Sequence, residues 1–157
     1  MDVDGLARLV ARLEPGGEVR GEEVRGLVRD RFVVDGLGLV WDGFAVDRVR
    51  AHLDAGAHHH QPHGIVHGGV YCAVVETIAS IGGAIQAVAM GKAVVGVSNA
   101  TDFLRAHRTG RLDAVGEPVH VGRSQQLWQV VITRATDGKA VARGQVRLQN
   151  LDPTVLP

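Results

Sequence analysis

The sequence contains one cysteine, few aromatic residues and no surplus of either charge. Cys72 is the only cysteine, so an internal disulfide framework and a cysteine-based zinc cluster are excluded. A chain without disulfides suits a reducing compartment, which predicts a cytoplasmic location. Aromatic residues make up only 4% of the chain, and 17 basic residues are matched by 17 acidic ones. Nucleic-acid binding proteins usually carry stacking aromatic side chains or excess positive charge, so we do not expect nucleic acid as a partner.

Long apolar runs are also absent from the sequence. No uninterrupted run approaches the roughly 18 residues of a membrane span, and the segment 1–15 lacks the basic-then-apolar layout of a signal peptide. We therefore expect no membrane association. The 157 residues are nevertheless 45% hydrophobic, which predicts one globular domain of ordinary size.

The segment 1–33 is predicted to be a helical extension that precedes a single domain at 34–152. Apolar residues recur at helical spacing before a Pro-Gly-Gly run at 15–17, and a second helix is predicted at about 21–31. Such an arm either packs on the domain or binds a partner, and the pattern leaves both roles open.

The domain is predicted to contain two strands, one long helix and four strands. The first two strands are separated by Asp42-Gly43, a pair typical of hairpin turns, and the helix has a broad apolar stripe. The predicted bounds are 37–41 and 44–55 for the two strands, about 68–90 for the helix, and 93–104, 110–122, 124–135 and 139–150 for the last four strands. This order predicts an α+β fold in which a curved antiparallel sheet of about five to six strands wraps one central helix. The uncovered face and the edges of such a sheet predict oligomerisation.

The start of the long helix is suited to binding a carbonyl oxygen that gains negative charge. The helix begins at Gly68 and Gly69, so free backbone N–H groups lie at the positive end of its dipole with no side chain in the way. Such groups stabilise an oxyanion as it forms. We assign the catalytic contact to Gly68 and substrate binding to Gly69, and the alternative is that both glycines only permit a tight turn.

Glu76 is the only charged residue in the apolar segment 70–85. On a helix it shares one narrow face with small and polar residues, namely Gly69, Cys72, Ser80 and Gly83. A carboxylate there is unfavourable unless it is paired, solvated by a cleft or functional. Glu76 is therefore a candidate nucleophile or general base, and the alternative is a structural carboxylate that caps a backbone group.

Gly68 and Glu76 are too far apart along one helix to contact the same carbonyl group. Their separation of eight residues corresponds to roughly 12 Å. Two such helices, antiparallel about a two-fold axis, would bring Gly68 of one chain close to Glu76 of the other. We therefore predict an active site built by two subunits.

These residues resemble the pattern of the hot-dog-fold acyl-CoA thioesterases, in particular the phenylacetate-pathway and 4-hydroxybenzoyl-CoA branch that uses a helix glutamate. The family pattern is a polar residue, a short turn, Gly-x-x-His-Gly-Gly and a carboxylate nine residues after the histidine. The matching residues are Gln61, Gly64, His67, Gly68, Gly69 and Glu76. The resemblance extends over about residues 36–150. It implies a hot-dog fold, hydrolysis of an acyl-CoA thioester with no cofactor beyond the coenzyme A of the substrate, and a homodimer that pairs into a dimer of dimers.

Three further residues are catalytic candidates, each with an open alternative. Gln61 either hydrogen-bonds the thioester oxygen or water, or it satisfies its own loop. His67 either donates to the substrate or caps the helix. Ser80, where related enzymes usually carry threonine, either holds the Glu76 carboxylate or the acyl group, or it only packs.

Coenzyme A carries phosphates, and arginine suits bidentate phosphate contact. Arg105 and Arg123 are the candidates, each with a solvated surface charge as the alternative, and the resemblance favours Arg123 together with Ser124. The acyl pocket is expected to be lined by the helix and by the strand that carries Asn99 and Thr101.

Five of the eight histidines lie at 58–67. His63 and His67 have an i, i+4 spacing, but Pro62 and Gly64 predict a loop instead of a shared helix face. No Asp or Glu in this loop completes a common ligand set. We therefore predict no metal site and place His63 near the substrate entrance.

The leading hypothesis is an acyl-CoA thioesterase, and the alternative is a non-catalytic acyl-CoA-binding module whose N-terminal arm contacts a partner. A hot-dog hydratase is disfavoured because the paired Asp and His of those enzymes are not found. The sequence leaves the acyl group open among aromatic, short branched and fatty chains.

Overall fold

In the computed structural model, which describes residues 3–24, 26 and 31–155, one long helix packs against an antiparallel sheet of seven strands. The α-helices of the described residues are α1 (Val3–Val10) and α2 (Gly68–Ala89), and Arg31–Gly36 forms a short π-helix. The strands are β1 (Val19–Arg20), β2 (Leu39–Ala45), β3 (Arg48–Ala55), β4 (Ala93–Phe103), β5 (Gly110–Val121), β6 (Gln125–Arg134) and β7 (Ala140–Leu151). Their spatial order is β1-β2-β3-β5-β6-β7-β4, so β4 forms one edge and pairs only with β7 among the strands described.

The core lies between α2 and the inner face of the sheet. Alternate residues of β6 and β7 are buried against the helix, and Trp128 is 0% exposed. Gly82 allows this close approach, because a Cβ at that position would overlap the Trp128 ring. The helix pattern and the strand alternation in the sequence therefore predicted this layer correctly.

The ends of α2 confirm the predicted helix bounds. His67 is the N-cap residue, and Met90 is the C-cap. Gly91 follows with a φ of +67°, a left-handed conformation that glycine adopts without strain.

α2 has a length and composition that would suit a membrane span, with 22 residues that include an 18-residue stretch of mean hydropathy 1.6. The search for an uninterrupted apolar run did not single out α2, because Glu76 interrupts its apolar sequence. Half of this stretch is buried inside the protein, where it contacts five strands of the sheet. α2 is therefore the core helix of the domain.

The predicted hairpin turn at Asp42-Gly43 is wrong. β2 continues through both residues with a bulge, and the turn lies between Ala45 and Arg48. The carboxylate of Glu18 lies over Gly43, where a Cβ would overlap it. Tertiary pairing with β1 on the other side therefore holds this Asp-Gly pair in the strand.

The N-terminal arm is partly helical and packs on the domain. Leu6 and Leu9 of α1 are 9% and 0% exposed and belong to the core. Of the predicted second helix at 21–31, residues 21–24 form a 3-10 turn, and residues 25 and 27–30 lie outside the described residues. β1 adds a seventh strand to the five or six expected, since Val19 and Arg20 pair with β2. The division into an extension at 1–33 and a domain at 34–152 stays a prediction.

Candidate functional site

Glu76 lies in the middle of α2 with its carboxylate towards β4. Ser80 donates its hydroxyl to Oε1 at 3.3 Å, and Asn99 donates its side-chain N–H to Oε2 at 2.9 Å. Gly96 of β4 leaves the room that the carboxylate occupies, since a Cβ there would lie 2.6 Å from Oε1. In the described part of the chain no basic side chain forms an ion pair with Glu76. Two neutral donors therefore orient the carboxylate, and no positively charged side chain of the described residues pairs with it.

Asn99 is itself held in one orientation. The Thr101 hydroxyl donates to its Oδ1 at 2.6 Å, and its Nδ2 also donates to the Cys72 carbonyl at 3.1 Å. The amide nitrogen therefore has to face Glu76. The side chains of Asn99 and Thr101 thus form a hydrogen-bonded chain that ends on the carboxylate. Their role in lining the acyl pocket stays a prediction.

The two glycines at the start of α2 have different hydrogen-bond partners. The Gly69 N–H donates to His67 Nδ1 at 2.8 Å, so His67 caps the helix and its proton sits on Nε2, where it can be donated elsewhere. Among the residues described, no acceptor is paired with the Gly68 N–H. Gly68 therefore presents the open donor at the positive end of the helix dipole.

A cavity of about 260 Å³ opens beside Gly68. Its lining includes Gln61, Gly68, Tyr71, Phe103 and Arg105. The Phe103 ring lies against Gly68, because a Cβ on that glycine would be 2.6 Å from Cε2 of the ring. The cavity therefore joins the open N–H group to an apolar wall with a few polar groups.

Gln61 serves both its loop and the cavity. Its side-chain oxygen accepts the His63 N–H at 3.3 Å, while its amide N–H groups have no partner in the described residues. The His63 side chain is exposed. Arg105 is also exposed and donates to the Ala140 carbonyl at 2.6 Å.

The protomer keeps the candidate residues in three separate groups. Glu76 and its hydrogen-bond partners do not line the cavity beside Gly68. This separation agrees with the eight-residue spacing of Gly68 and Glu76 along α2. Arg123 and Ser124 lie near the opposite end of α2, where Lys92 donates to the Arg123 carbonyl at 2.5 Å.

A buried amide network holds the turn that carries Arg123. Asn150 donates to the carbonyls of Gly122 and Arg123 at 2.9 and 3.4 Å. Its Oδ1 accepts from Gln126 at 2.8 Å, and Gln126 also donates to the Gly83 carbonyl of α2 at 3.0 Å. The turn is thus tied to the C-terminal part of α2 from inside the molecule.

The histidine-rich loop contains a structural histidine that the sequence did not single out. His59 is 2% exposed, accepts the Gly56 N–H at 3.0 Å through Nδ1 and donates to the Leu37 carbonyl at 2.9 Å through Nε2. Within the described ranges, no group of three His, Cys, Asp or Glu residues is placed to hold a metal ion.

Two residues of the site were missed or assigned another role from the sequence. Gly96 makes room for the Glu76 carboxylate, and a glycine inside a predicted strand was the available signal for close approach. From the sequence alone, Tyr71 is more typical of packing than of chemistry, yet it lines the cavity beside Gly68. No sequence pattern distinguishes a packing tyrosine from one that faces a pocket.

A family model described as the thioesterase superfamily matches residues 63–141, a range that includes all of α2. The Rv1847 protein of Mycobacterium tuberculosis is 49% identical over 118 residues, which cover 74% of this chain and 84% of that protein. Its solved structure gives a TM-score of 0.73 at 48% identity and covers 75% of this chain and 94% of that chain.

Two proteins named as thioesterases are also similar. The proofreading thioesterase EntH of Cronobacter sakazakii is 34% identical over 100 residues, which cover 64% of this chain and 72% of that protein. The thioesterase HI1161 of Haemophilus influenzae has a solved structure with a TM-score of 0.69 at 32% identity, and the match covers 75% of this chain and 81% of that one.

Proposed function

Because this chain belongs to the thioesterase superfamily, a family of thioester-hydrolysing enzymes with the hot-dog fold, we propose that it hydrolyses acyl-CoA thioesters to a free acid and coenzyme A. The relatives named as thioesterases favour an enzyme over the binding-only module. A cytoplasmic location, which the single cysteine suggests, is part of the same proposal.

The observation that carries this proposal is the Glu76 carboxylate, held by Ser80 and Asn99 and left without a cation. Glu76 acts in one of two ways. As a nucleophile it attacks the thioester carbon, expels the coenzyme A thiolate and forms an anhydride that water then cleaves. As a general base it takes a proton from the water that attacks the same carbon, and the C–S bond then breaks to release the coenzyme A thiolate, which takes up a proton.

Gly68 supplies the electrostatic part of the reaction. Its open N–H group donates to the thioester oxygen, and the hydrogen bond strengthens as that oxygen becomes an oxyanion. The helix dipole adds to this stabilisation because the oxygen lies at the N-terminus of α2. Gln61 shares the cavity and offers its free amide N–H groups to the substrate or to water.

A second copy of the chain completes the site. Glu76 faces β4, which is an edge strand with exposed apolar residues such as Val97. A homodimer that joins two β4 edges with antiparallel α2 helices places Gly68 of one protomer opposite Glu76 of the other. A further pairing through the outer face of the sheet would make the dimer of dimers.

The same arrangement gives Arg123 and Ser124 a role. They lie near the C-terminal end of α2, and an antiparallel partner brings that end towards the cavity of the first chain. The coenzyme A phosphates would then contact Arg123 and Ser124 of one protomer and Arg105 of the other, since arginine binds phosphate in a bidentate manner.

The test is release of free thiol from a panel of acyl-CoA thioesters by wild type and Glu76→Gln. We expect wild type to turn over at least one thioester and Glu76→Gln to be slower by about 100-fold or more. Glu117→Gln is the matched control, because that carboxylate pairs only with exposed Arg48 at the surface. A panel without turnover, or full activity of Glu76→Gln, would contradict the proposal.

A further inference from the structure

His59 is a buried histidine that takes no part in the steps of the proposed reaction. It ends the short 3-10 turn Ala57–His59 and is 2% exposed. Its ring accepts the Gly56 N–H at 3.0 Å through Nδ1 and donates to the Leu37 carbonyl at 2.9 Å through Nε2. Both ring nitrogens are therefore paired, and an apolar side chain in this place would leave two backbone groups without these partners.

The two hydrogen bonds attach the loop that follows His59 to the sheet. Gly56 directly follows the last residue of β3, and Leu37 lies two residues before the first residue of β2. β2 and β3 pair with each other as far as Leu39 and Leu53. The His59 ring therefore holds the start of the loop against a paired part of the sheet, although Leu37 is 22 residues away in sequence.

The backbone of the same histidine extends this support to the start of α2. The His67 N–H donates to the His59 carbonyl at 2.8 Å, which closes the loop from His59 to His67. The carbonyl group of His67 forms one planar peptide unit with the open N–H group of Gly68. The direction of that N–H group therefore depends on where His67 lies, and His67 is bonded to the residue whose ring is attached to the sheet.

A second set of contacts holds the outer part of this loop. The Val66 N–H donates to the His107 carbonyl at 2.8 Å, and Arg108 donates to the Gly64 carbonyl at 2.9 Å. His107 and Arg108 belong to the connection between β4 and β5. Loss of the His59 ring contacts would therefore leave the loop attached at this point, while its base would no longer be held to β2 and β3.

We propose that His59 is a positioning residue for the Gly68 N–H group. The inference rests on the proposed function, which places the carbonyl oxygen of the thioester at that N–H group. His59 acts through the backbone of the loop and does not touch the substrate. A hydrogen bond weakens as its distance and angle leave their preferred range, so a shifted loop base lowers the affinity for the carbonyl and the stabilisation of the oxyanion.

The test compares two coenzyme A analogues that cannot be hydrolysed. In the first, a methylene group replaces the thioester sulfur and the carbonyl is kept. In the second, a methylene group replaces the carbonyl as well. Both are made with a butyryl and with a benzoyl chain, and calorimetry gives their dissociation constants. The ratio of the two constants measures the carbonyl contact, and it does not change if part of the protein is unfolded.

We expect His59→Asn to lower the preference for the carbonyl analogue by about threefold or more. Asparagine keeps an acceptor for Gly56 but is too short to donate to Leu37. His59→Gln keeps a donor of suitable length for Leu37 and should lie between wild type and His59→Asn, and it carries the test if His59→Asn does not fold. His58→Asn is the control and should keep the wild-type ratio, because that side chain of the same turn is exposed and has no hydrogen bond among the described residues.

A double-mutant cycle separates positioning from a general structural effect. In Gly68→Ala, which keeps the N–H group, His59→Asn should lower the preference by the same factor as in the wild-type sequence. In Gly68→Pro, which lacks the group, His59→Asn should change the ratio no further. The inference would be overturned by no binding of either analogue, by a ratio that Gly68→Pro or both His59 variants leave unchanged, by an equal effect of His59→Asn in the Gly68→Pro background, or by an effect of the same size in His58→Asn.

The two proposals fail separately, because binding of these analogues does not require turnover. A carbonyl preference that depends on His59 and Gly68, in a protein that hydrolyses no thioester, would contradict only the proposed function. A thioesterase whose carbonyl preference ignores His59 would contradict only the present inference.

Discussion

The orientation of the Glu76 carboxylate depends on hydrogen bonds from single neighbouring side chains. Thr101 fixes the amide of Asn99, Asn99 fixes one oxygen of Glu76, and Ser80 fixes the other. In the proposed reaction Asn99 and Thr101 would thus be positioning residues, since they would act through the carboxylate.

Replacing Asn99 by Ala is expected to lower kcat by about tenfold or more while KM changes little, because the carboxylate loses a charge-assisted hydrogen bond that orients it. Thr101→Val should lower kcat less. In the Asn99→Ala background it should have no further effect, since the amide that it orients is gone. Steady-state kinetics of the two single variants and the double variant test this. Additive losses would mean that Thr101 acts independently of Asn99.

The backbone N–H group at position 68 can be removed by a substitution that keeps the helix. It is the first residue of α2, where proline is tolerated, and His67 has the extended conformation that precedes proline, with φ −66° and ψ 136°. Gly68→Pro and Gly68→Ala both place a Cβ against Phe103, but only Gly68→Ala keeps the donor. We expect kcat of Gly68→Pro to be lower than that of Gly68→Ala by about 100-fold, with similar melting temperatures. Equal rates would exclude the N–H group from the reaction.

At the scale of elements, the sequence predicted the helices and strands that follow from local patterns. It missed the features that depend on contacts between residues distant in sequence. The long helix and the last four strands follow from periodicity and agree with the structure within one or two residues. The turn at Asp42-Gly43 was wrong because Glu18 and β1 hold that pair in the strand. The contact between Asn99 and Glu76 could not be predicted from the sequence either, since the two residues meet only because β4 lies beside α2.

The ion pair between Glu18 and Arg50 links the N-terminal arm to β3 across Gly43. Arg50 Nε donates to the Glu18 carboxylate at 3.2 Å, and this hydrogen bond holds the pKa of Glu18 below its ordinary value. A lowered pKa contributes stability that is present at neutral pH and is lost as the pH falls through the folded-state value.

Glu18→Gln is therefore expected to lower the free energy of unfolding at pH 7 by up to about 1 kcal/mol, a small effect because both side chains are partly exposed. The difference should vanish in acid, where the wild-type carboxyl is protonated too. Urea unfolding at pH 7 and at a series of lower pH values measures how the difference changes. Glu22→Gln, another exposed carboxylate of the arm, is the control. A difference that does not shrink as the pH falls would assign the effect to packing instead of charge.

At the scale of the whole molecule, the protomer separates the two halves of the proposed chemistry. The open N–H of Gly68 and the Glu76 carboxylate lie on the same helix and cannot meet on one carbonyl group. The unpaired edge of β4 is the surface through which a second copy would bring them together.

Mixing Gly68→Pro with Glu76→Gln should therefore restore activity. Random exchange of subunits gives heterodimers with one intact site and one doubly altered site, so about a quarter of wild-type activity should return. Thiol release after unfolding and refolding the mixture measures it, and each variant refolded alone is the control. No recovery in verified heterodimers would place the whole site within one chain.

The amide network of Gln126 and Asn150 joins the hydrophobic centre to the surface turn at Arg123. A loop anchored in this way has already lost most of its conformational freedom before any ligand arrives. Association with a phosphate there would proceed with little additional ordering of the backbone, so that more of the electrostatic attraction would be retained as affinity.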